Sequence, residues 1–337
     1  MPTTESPERP GRPRRGARAW LWPTLKGVLG VTVVAAVGWQ FAVVLRQPDL
    51  WARPLSLHPG WLAVAAALYL AGLLFPAIFW RLLLRALGQR PRPLATLRAY
   101  YVGQLARYVP GKVVGLAMRA RLLTGPGVGM GVAVLTVVYE SLTTLAAGVL
   151  LGMLLFAFPI SVDTAFGWRA LALLGAVGVL LLPGVFNRLA ERTTRPFRRP
   201  DAPPFPPVRN RTLVVGLAIT GCGWLVQGGA LWAVVESLAP GAWPASAEVW
   251  CRCAAYTGLA YAAGYLVFAA PGGLGVRDYV TQQFLLGELG RALGPQRAAE
   301  TAVVAALVLR LVWIAADLAA AGACYGLPGQ GAGAQPE

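Results

Sequence analysis

The sequence predicts an all-α polytopic membrane protein, a transmembrane helical bundle of about six full spans plus two re-entrant helical hairpins in an inverted-repeat arrangement. Three observations lead there. Of the 337 residues, 56% are hydrophobic and only 13% are charged, about half the ~25% charge of an ordinary soluble chain. The apolar residues gather into runs of about 20 or more, the length a helix needs to cross hydrocarbon. Finally, two segments of intermediate polarity lie between these runs, and each breaks at a Pro-Gly and carries arginine.

Taken in order, residues 1–24 are rich in Pro, Arg and Gly, too poor in apolar side chains to fold, and read as a disordered basic tail near anionic lipid. The run 25–45 has a basic flank like a signal peptide, but its length and its lack of a small-residue cleavage site favour a retained first span. Further runs at 61–84, 128–158, 168–186, 213–238 and 298–325 complete six spans. The transmembrane domain is thus 25–326, divided into halves 25–186 and 212–326 by a Pro- and Arg-rich linker at 187–211, with a short disordered tail expected at 327–337. That linker reads as a stiff spacer and orientation signal, or alternatively as a contact for anionic headgroups.

Between the second and third spans lies 94–121, and between the fifth and sixth lies 249–290. Irregular backbone at membrane depth is tolerated only where it is buried in protein or lines a cavity, so both read as re-entrant hairpins. RYVPGKVVGLAMR at 107–119 and FAAPGGLGVRD at 268–278 each place an aromatic residue shortly before Pro-Gly, with Gly and Arg following. Most of the 30 Lys and Arg residues fall in the N-terminal tail, in 81–121 and in 188–211. Because cytoplasmic loops collect such residues, these three regions and the N-terminus face the cytoplasm. The first hairpin then enters from the cytoplasmic side and the second from outside, an inverted repeat of the kind found in alternating-access carriers. The competing reading is that Pro-Gly marks turns in two loops.

The net charge of +16 does not indicate nucleic-acid binding, since the basic residues sit in short tracts between spans and form no exposed stripe. Cys222, Cys251, Cys253 and Cys324 lie in or beside apolar runs without metal-ligand spacing, and the single His58 stands beside Pro59, so neither metal nor cofactor is expected. There is no nucleophile-base-acid set, no phosphate-cradling loop after a strand and no paired carboxylates in one loop. The chain is therefore not expected to be an enzyme.

The candidate site residues are the charges and helix breakers at membrane depth. Glu140 lies about 18 Å along its run at ~1.5 Å per residue, near the middle of a ~30 Å core. An acid there costs about 2.5–3.5 kcal/mol on insertion scales and calls for a cation. The candidates are Arg310, Lys112 and Arg119, and Arg310 shares a helix face with Asp317 two turns on. Half-helices beginning after Pro110 and Gly111, or after Pro271, Gly272 and Gly273 with Gly275 beyond, would aim unpaired N–H groups at an anion. Arg107, Lys112, Arg119, Arg121 and Arg277 add full positive charge, and arginine grips phosphate bidentately. Asp278 is the only acid within either motif. Glu140 and Arg310 are expected to form a midplane pair that opens as a headgroup passes.

RYVPGKVVG at 107–115 with Arg119 following, Glu140 within VVYES, PGGLGVRD at 271–278 and Arg310 within VLRLVW together resemble the lysylphosphatidylglycerol synthase transmembrane regions, a flippase-like domain family that includes stand-alone bacterial inner-membrane proteins. Members commonly carry Glu after the Arg where this chain has Asp278. The resemblance implies a helical bundle with re-entrant hairpins that moves a phospholipid or lipid-linked anion between leaflets. In two-domain members an aminoacyl-transferring domain follows. Few residues remain here after Tyr325, so synthase activity is not carried over. The expectation is flipping of a phospholipid or lipid-linked anionic headgroup across the bacterial cytoplasmic membrane, with membrane and lipid as partners and a homo-oligomer compatible with it. One alternative is a non-transporting scaffold that binds an envelope-synthesis enzyme through its basic loop. Another is a membrane-embedded transferase, for which Asp278 is the candidate acid or base.

Overall fold

A computed structural model describes residues 57–108, 112–156, 175–176, 178–194, 206–266 and 275–330, together with position 39. The basic tail, the run 25–45 apart from position 39, residues 168–174 and 177 of the run 168–186, the side chain of Lys112, and Pro110, Gly111, Pro271, Gly272 and Gly273 lie outside the described residues. The described chain is helical throughout, with a single isolated bridge between Gly125 and Val128. The helices are α1 (Pro59–Ala86), α2 (Pro93–Gln104), α3 (Lys112–Leu123), α4 (Met130–Phe156), α5 (Pro183–Thr194), α6 (Asn210–Leu238), α7 (Ala247–Leu266), α8 (Val276–Leu293) and α9 (Pro295–Tyr325), with a 3-10 turn, Leu105–Tyr108, after α2.

Among the described residues four helices are long and apolar enough to cross a membrane: α1, α4, α6 and α9. They correspond to four of the six predicted runs, because sustained apolar length leaves a helix as the one structure that satisfies its own backbone in lipid. Their burial sets their places. The most apolar stretches of α4 and α9 are each 67% buried, against 39% for α1 and 44% for α6, so α4 and α9 form the interior. Val64, Leu74, Ile78 and Leu82 of α1 and Val214 and Val215 of α6 are exposed, the outward apolar surface expected of a helix against lipid.

Small residues let these helices close on one another. A Cβ on Gly72 of α1 would lie 2.9 Å from the Gly223 carbonyl oxygen of α6, and one on Gly223 would lie 2.9 Å from the Gly72 carbonyl oxygen. Likewise a Cβ on Gly258 of α7 would stand 2.9 Å from the Cα of Gly148 in α4. Close backbone approach of this kind replaces the hydrophobic drive that lipid removes.

The two polar segments become paired helices. In the first, α2 and α3 have 12 residues each, about 18 Å apiece at ~1.5 Å per residue. In the second, α7 and α8 have 20 and 18 residues. The outer ends of α2 and α3 join α1 and α4 at the end of the bundle where α9 finishes, and those of α7 and α8 join α6 and α9 at the opposite end. Where α9 finishes, Gln330 ties the flanks of the first pair together. Its amide donates to the Arg90 and Pro126 carbonyls at 2.9 and 3.0 Å and accepts from the Arg92 N–H at 3.0 Å. Residues 327–330, predicted as the start of a tail, are therefore docked. A Gly- and Pro-rich composition conceals a single well-placed amide.

Gly258→Ala should destabilise the purified protein by about 1–3 kcal/mol, the cost of forcing volume into a packed contact. Gly287→Ala, where an added Cβ meets nothing within 4 Å, should leave stability unchanged or raise it. Thermal unfolding in detergent compares the two.

Candidate functional site

Charge placed by the paired helices meets charge on the spanning helices in the middle of the bundle. Arg119 of α3 is 7% exposed and Glu140 of α4 is 1% exposed, and Arg119 Nη2 donates to Glu140 Oε2 at 2.6 Å. The other carboxylate oxygen accepts from the Thr144 hydroxyl at 3.0 Å, one turn further along α4. The Arg119 guanidinium also lies 4.1 Å from the Tyr100 ring centre and 4.6 Å from that of Trp80, within the range of a favourable cation–π contact. Gly103 of α2 makes this approach feasible, since a Cβ there would fall 2.8 Å from Arg119 Cγ.

The predicted midplane pair of Glu140 with Arg310 is not formed. Arg310 of α9 pairs with Asp278 of α8, while α3, and not α9, brings the cation to Glu140. The reason is adjacency: α4 packs against α3, whereas α9 packs against α8. Asp278 Oδ2 also accepts the Gly275 N–H at 3.0 Å. Asp278 thereby caps the start of α8, and the anion expected at that terminus is the chain's own carboxylate. Gly275 has φ +82°, a conformation that suits glycine.

Asp317 of α9 is 1% exposed and is held from the tip of the first pair and from α1. Tyr69 donates to Oδ1 at 3.0 Å and Tyr108 to Oδ2 at 2.8 Å. Arg107 stands 3.8 Å from Oδ2 and donates to the Tyr69 hydroxyl at 3.0 Å, with its other amino group on Gln104 Oε1. Tyr69 therefore relays charge stabilisation from Arg107 to Asp317.

Arg277 differs. It is 6% exposed, and among the described residues it pairs with no carboxylate. Its guanidinium lies 3.7 Å from the Trp313 ring centre and 5.3 Å from that of Tyr261. Its Nε and the Trp313 Nε1 are buried donors without an acceptor among the described residues, a state that calls for an explanation in a native structure.

Arg277 and Arg107 both line three adjoining cavities of about 130, 50 and 10 Å³. The largest lies between the two helix pairs, with Gly103, Gln104, Gly115 and Arg119 from the first and Tyr261, Gly264, Tyr265 and Arg277 from the second. It has room for several waters or a small polar headgroup. Of the predicted residues, Arg107, Arg119, Glu140, Arg277, Asp278 and Arg310 line these cavities, and Asp317 stands beside Arg107. Sequence reasoning passed over Tyr69, Tyr100, Tyr108, Tyr261, Trp80 and Trp313. Tyr69 carried a signal, being the one hydroxyl in the run 61–84.

Glu140→Gln and Arg119→Gln should each destabilise the protein by about 3–5 kcal/mol, because each strands a buried charge. The double variant should cost much less than the sum. A double-mutant cycle on thermal or denaturant unfolding in detergent measures this coupling.

No curated protein matches the chain. Residues 27–321 match the family described as the lysylphosphatidylglycerol synthase TM region, a stretch that takes in all the helices bearing these charges. The chain belongs to that family.

Proposed function

We propose that this multi-pass membrane protein moves a lipid with an anionic, phosphate-bearing headgroup across the bacterial cytoplasmic membrane, with its N-terminus in the cytoplasm and without making or breaking covalent bonds. The observation that carries the reading is Arg277, a buried cation with no carboxylate among the described residues, facing a cavity between two helix pairs that enter from opposite ends of the bundle. An uncompensated charge at membrane depth is costly and marks ion or substrate pathways. A phosphate is its natural partner, since its oxygens only accept hydrogen bonds and guanidinium presents donors in a matching fork. Membership of a family named for lipid headgroup handling supports the same reading.

In this proposal the α2–α3 and α7–α8 pairs act as re-entrant hairpins whose tips form the headgroup site, and the acyl chains stay in lipid. The Arg119–Glu140, Arg107–Asp317 and Arg310–Asp278 pairs keep the site folded between passages and exchange partners as a phosphate moves by. Asp278, the candidate acid or base of the transferase reading, is engaged by both Arg310 and the Gly275 N–H.

Arg277→Gln should slow headgroup translocation of a fluorescent anionic phospholipid in proteoliposomes about tenfold or more, as expected from losing a hydrogen bond to a charged group of ~1.5–3 kcal/mol. Arg291→Gln, at an exposed position of the same helix, should translocate as the parent does. Full activity in a folded Arg277→Gln protein would contradict the proposal.

A further inference from the structure

We infer that the outside of the bundle, at the end where α1 and α9 finish, carries a docking site for an anionic phospholipid of the surrounding leaflet, held by arginines of α1 and α6. It is separate from the internal cavities, since none of these arginines lines them, and it does not depend on the translocation reading.

The site follows from the register of two antiparallel helices. α1 and α6 cross at Gly72 and Gly223, and further along α1 a Cβ on Gly216 would lie 2.4 Å from Phe79 Cζ. Just past α1, a Cβ on Gly88 would stand 3.9 Å from Pro206 Cγ, ahead of α6. Each step along α1 is thus matched by one step back along α6. Arg81 is level with Val214 and Arg85 with Asn210, so Arg209 and Arg211 share their rim. Asn187 brings α5 to the same place: its amide donates to the Val208 carbonyl at 3.0 Å and accepts the Val208 N–H at 2.9 Å.

This rim is strongly basic. The last two turns of α1, 79–86, and residues 183–211 together hold nine arginines and only two acids, Glu191 and Asp201. Among the described residues Arg81, Arg85, Arg209 and Arg211 pair with no carboxylate, and Arg81 Nε is a buried donor without an acceptor. The first turn of α6 contains no acidic residue, so the positive end of its dipole adds to the field. What lies beside the arginines decides the class of ligand. Arg81 is flanked on α1 by Ile78 and Leu82 and is level with Val214 on α6, all three exposed. A soluble anion or an acidic protein segment has nothing to lay on that apolar surface. A phospholipid satisfies both parts, with its phosphate oxygens on the guanidinium groups and its acyl chains along Ile78, Leu82 and Val214.

The test uses the full chain in detergent micelles holding equal amounts of dioleoyl-phosphatidylglycerol and dioleoyl-phosphatidylcholine, with the lipid that stays bound after re-isolation counted by mass spectrometry. The parent should retain phosphatidylglycerol over phosphatidylcholine by about fivefold or more, since several arginines each attract an anionic headgroup. Arg277→Gln, which changes only the internal cavity, should keep that preference. Arg81→Gln, Arg209→Gln and Arg211→Gln combined should abolish it, whereas Arg81→Lys, Arg209→Lys and Arg211→Lys combined should keep most of it, because the attraction depends on charge. Arg209→Gln with Arg211→Gln, both at exposed positions, should reduce the preference and serves where the triple glutamine variant does not fold. Undiminished preference in either glutamine variant overturns the docking site and leaves the translocation reading standing. Loss of the whole preference in Arg277→Gln places the bound lipid in the cavity and overturns the docking site as well. So does a parent without preference, and one that binds polyglutamate through these arginines in place of lipid has a protein partner there.

Discussion

A charge removed from water must find a counter-charge, and the middle of this bundle is organised by that requirement. Glu140, Asp278 and Asp317 are each met by an arginine from a neighbouring helix. In every case one partner comes from the α2–α3 or α7–α8 pair. The ion pairs are thus the ties that hold the two polar pairs against the spanning helices. Apolar packing does the rest, with glycine crossings at Gly72–Gly223 and Gly148–Gly258 drawing the frame together.

Ties of this kind behave differently from apolar packing when a ligand arrives. A buried methyl group gains nothing from a phosphate, whereas a guanidinium trades one oxygen acceptor for another at small net cost. In the proposed translocation the same arginines would serve a passing headgroup, provided that the carboxylate each one leaves finds another donor. Glu140 has Thr144, Asp317 has Tyr69 and Tyr108, and Asp278 has the Gly275 N–H. Each acid keeps a hydrogen bond when its arginine departs. Such secondary donors allow exchange without a bare buried charge.

The parts of this arrangement that were legible in the sequence are those fixed by one segment alone. The runs that became α1, α4, α6 and α9 needed only their own apolar length, and Glu140 needed only its place within such a run. Partner choice was not legible. Arg119 and Arg310 were equally good cations for Glu140 until the packing of α3 on α4 and of α8 on α9 decided between them. Tyr69 and Tyr108 escaped notice because a tyrosine in an apolar helix usually packs by its ring, and only the approach of Asp317 gives the hydroxyl its task. Gln330 was hidden for a similar reason: its hydrogen bonds reach 204 to 240 residues back along the chain, a distance at which composition carries no signal.

Headgroup binding as proposed requires that the cavity between the two helix pairs be open to water and carry positive potential. Ser141, which lines it, can be replaced by cysteine with little change in size, in a background where Cys222, Cys251, Cys253 and Cys324 are substituted. Its rates of modification by anionic and cationic methanethiosulfonates of similar size then read the potential directly. The anionic reagent should react several-fold faster, and Arg277→Gln should erase the difference. Equal rates, or a faster cationic reagent, would contradict the claim.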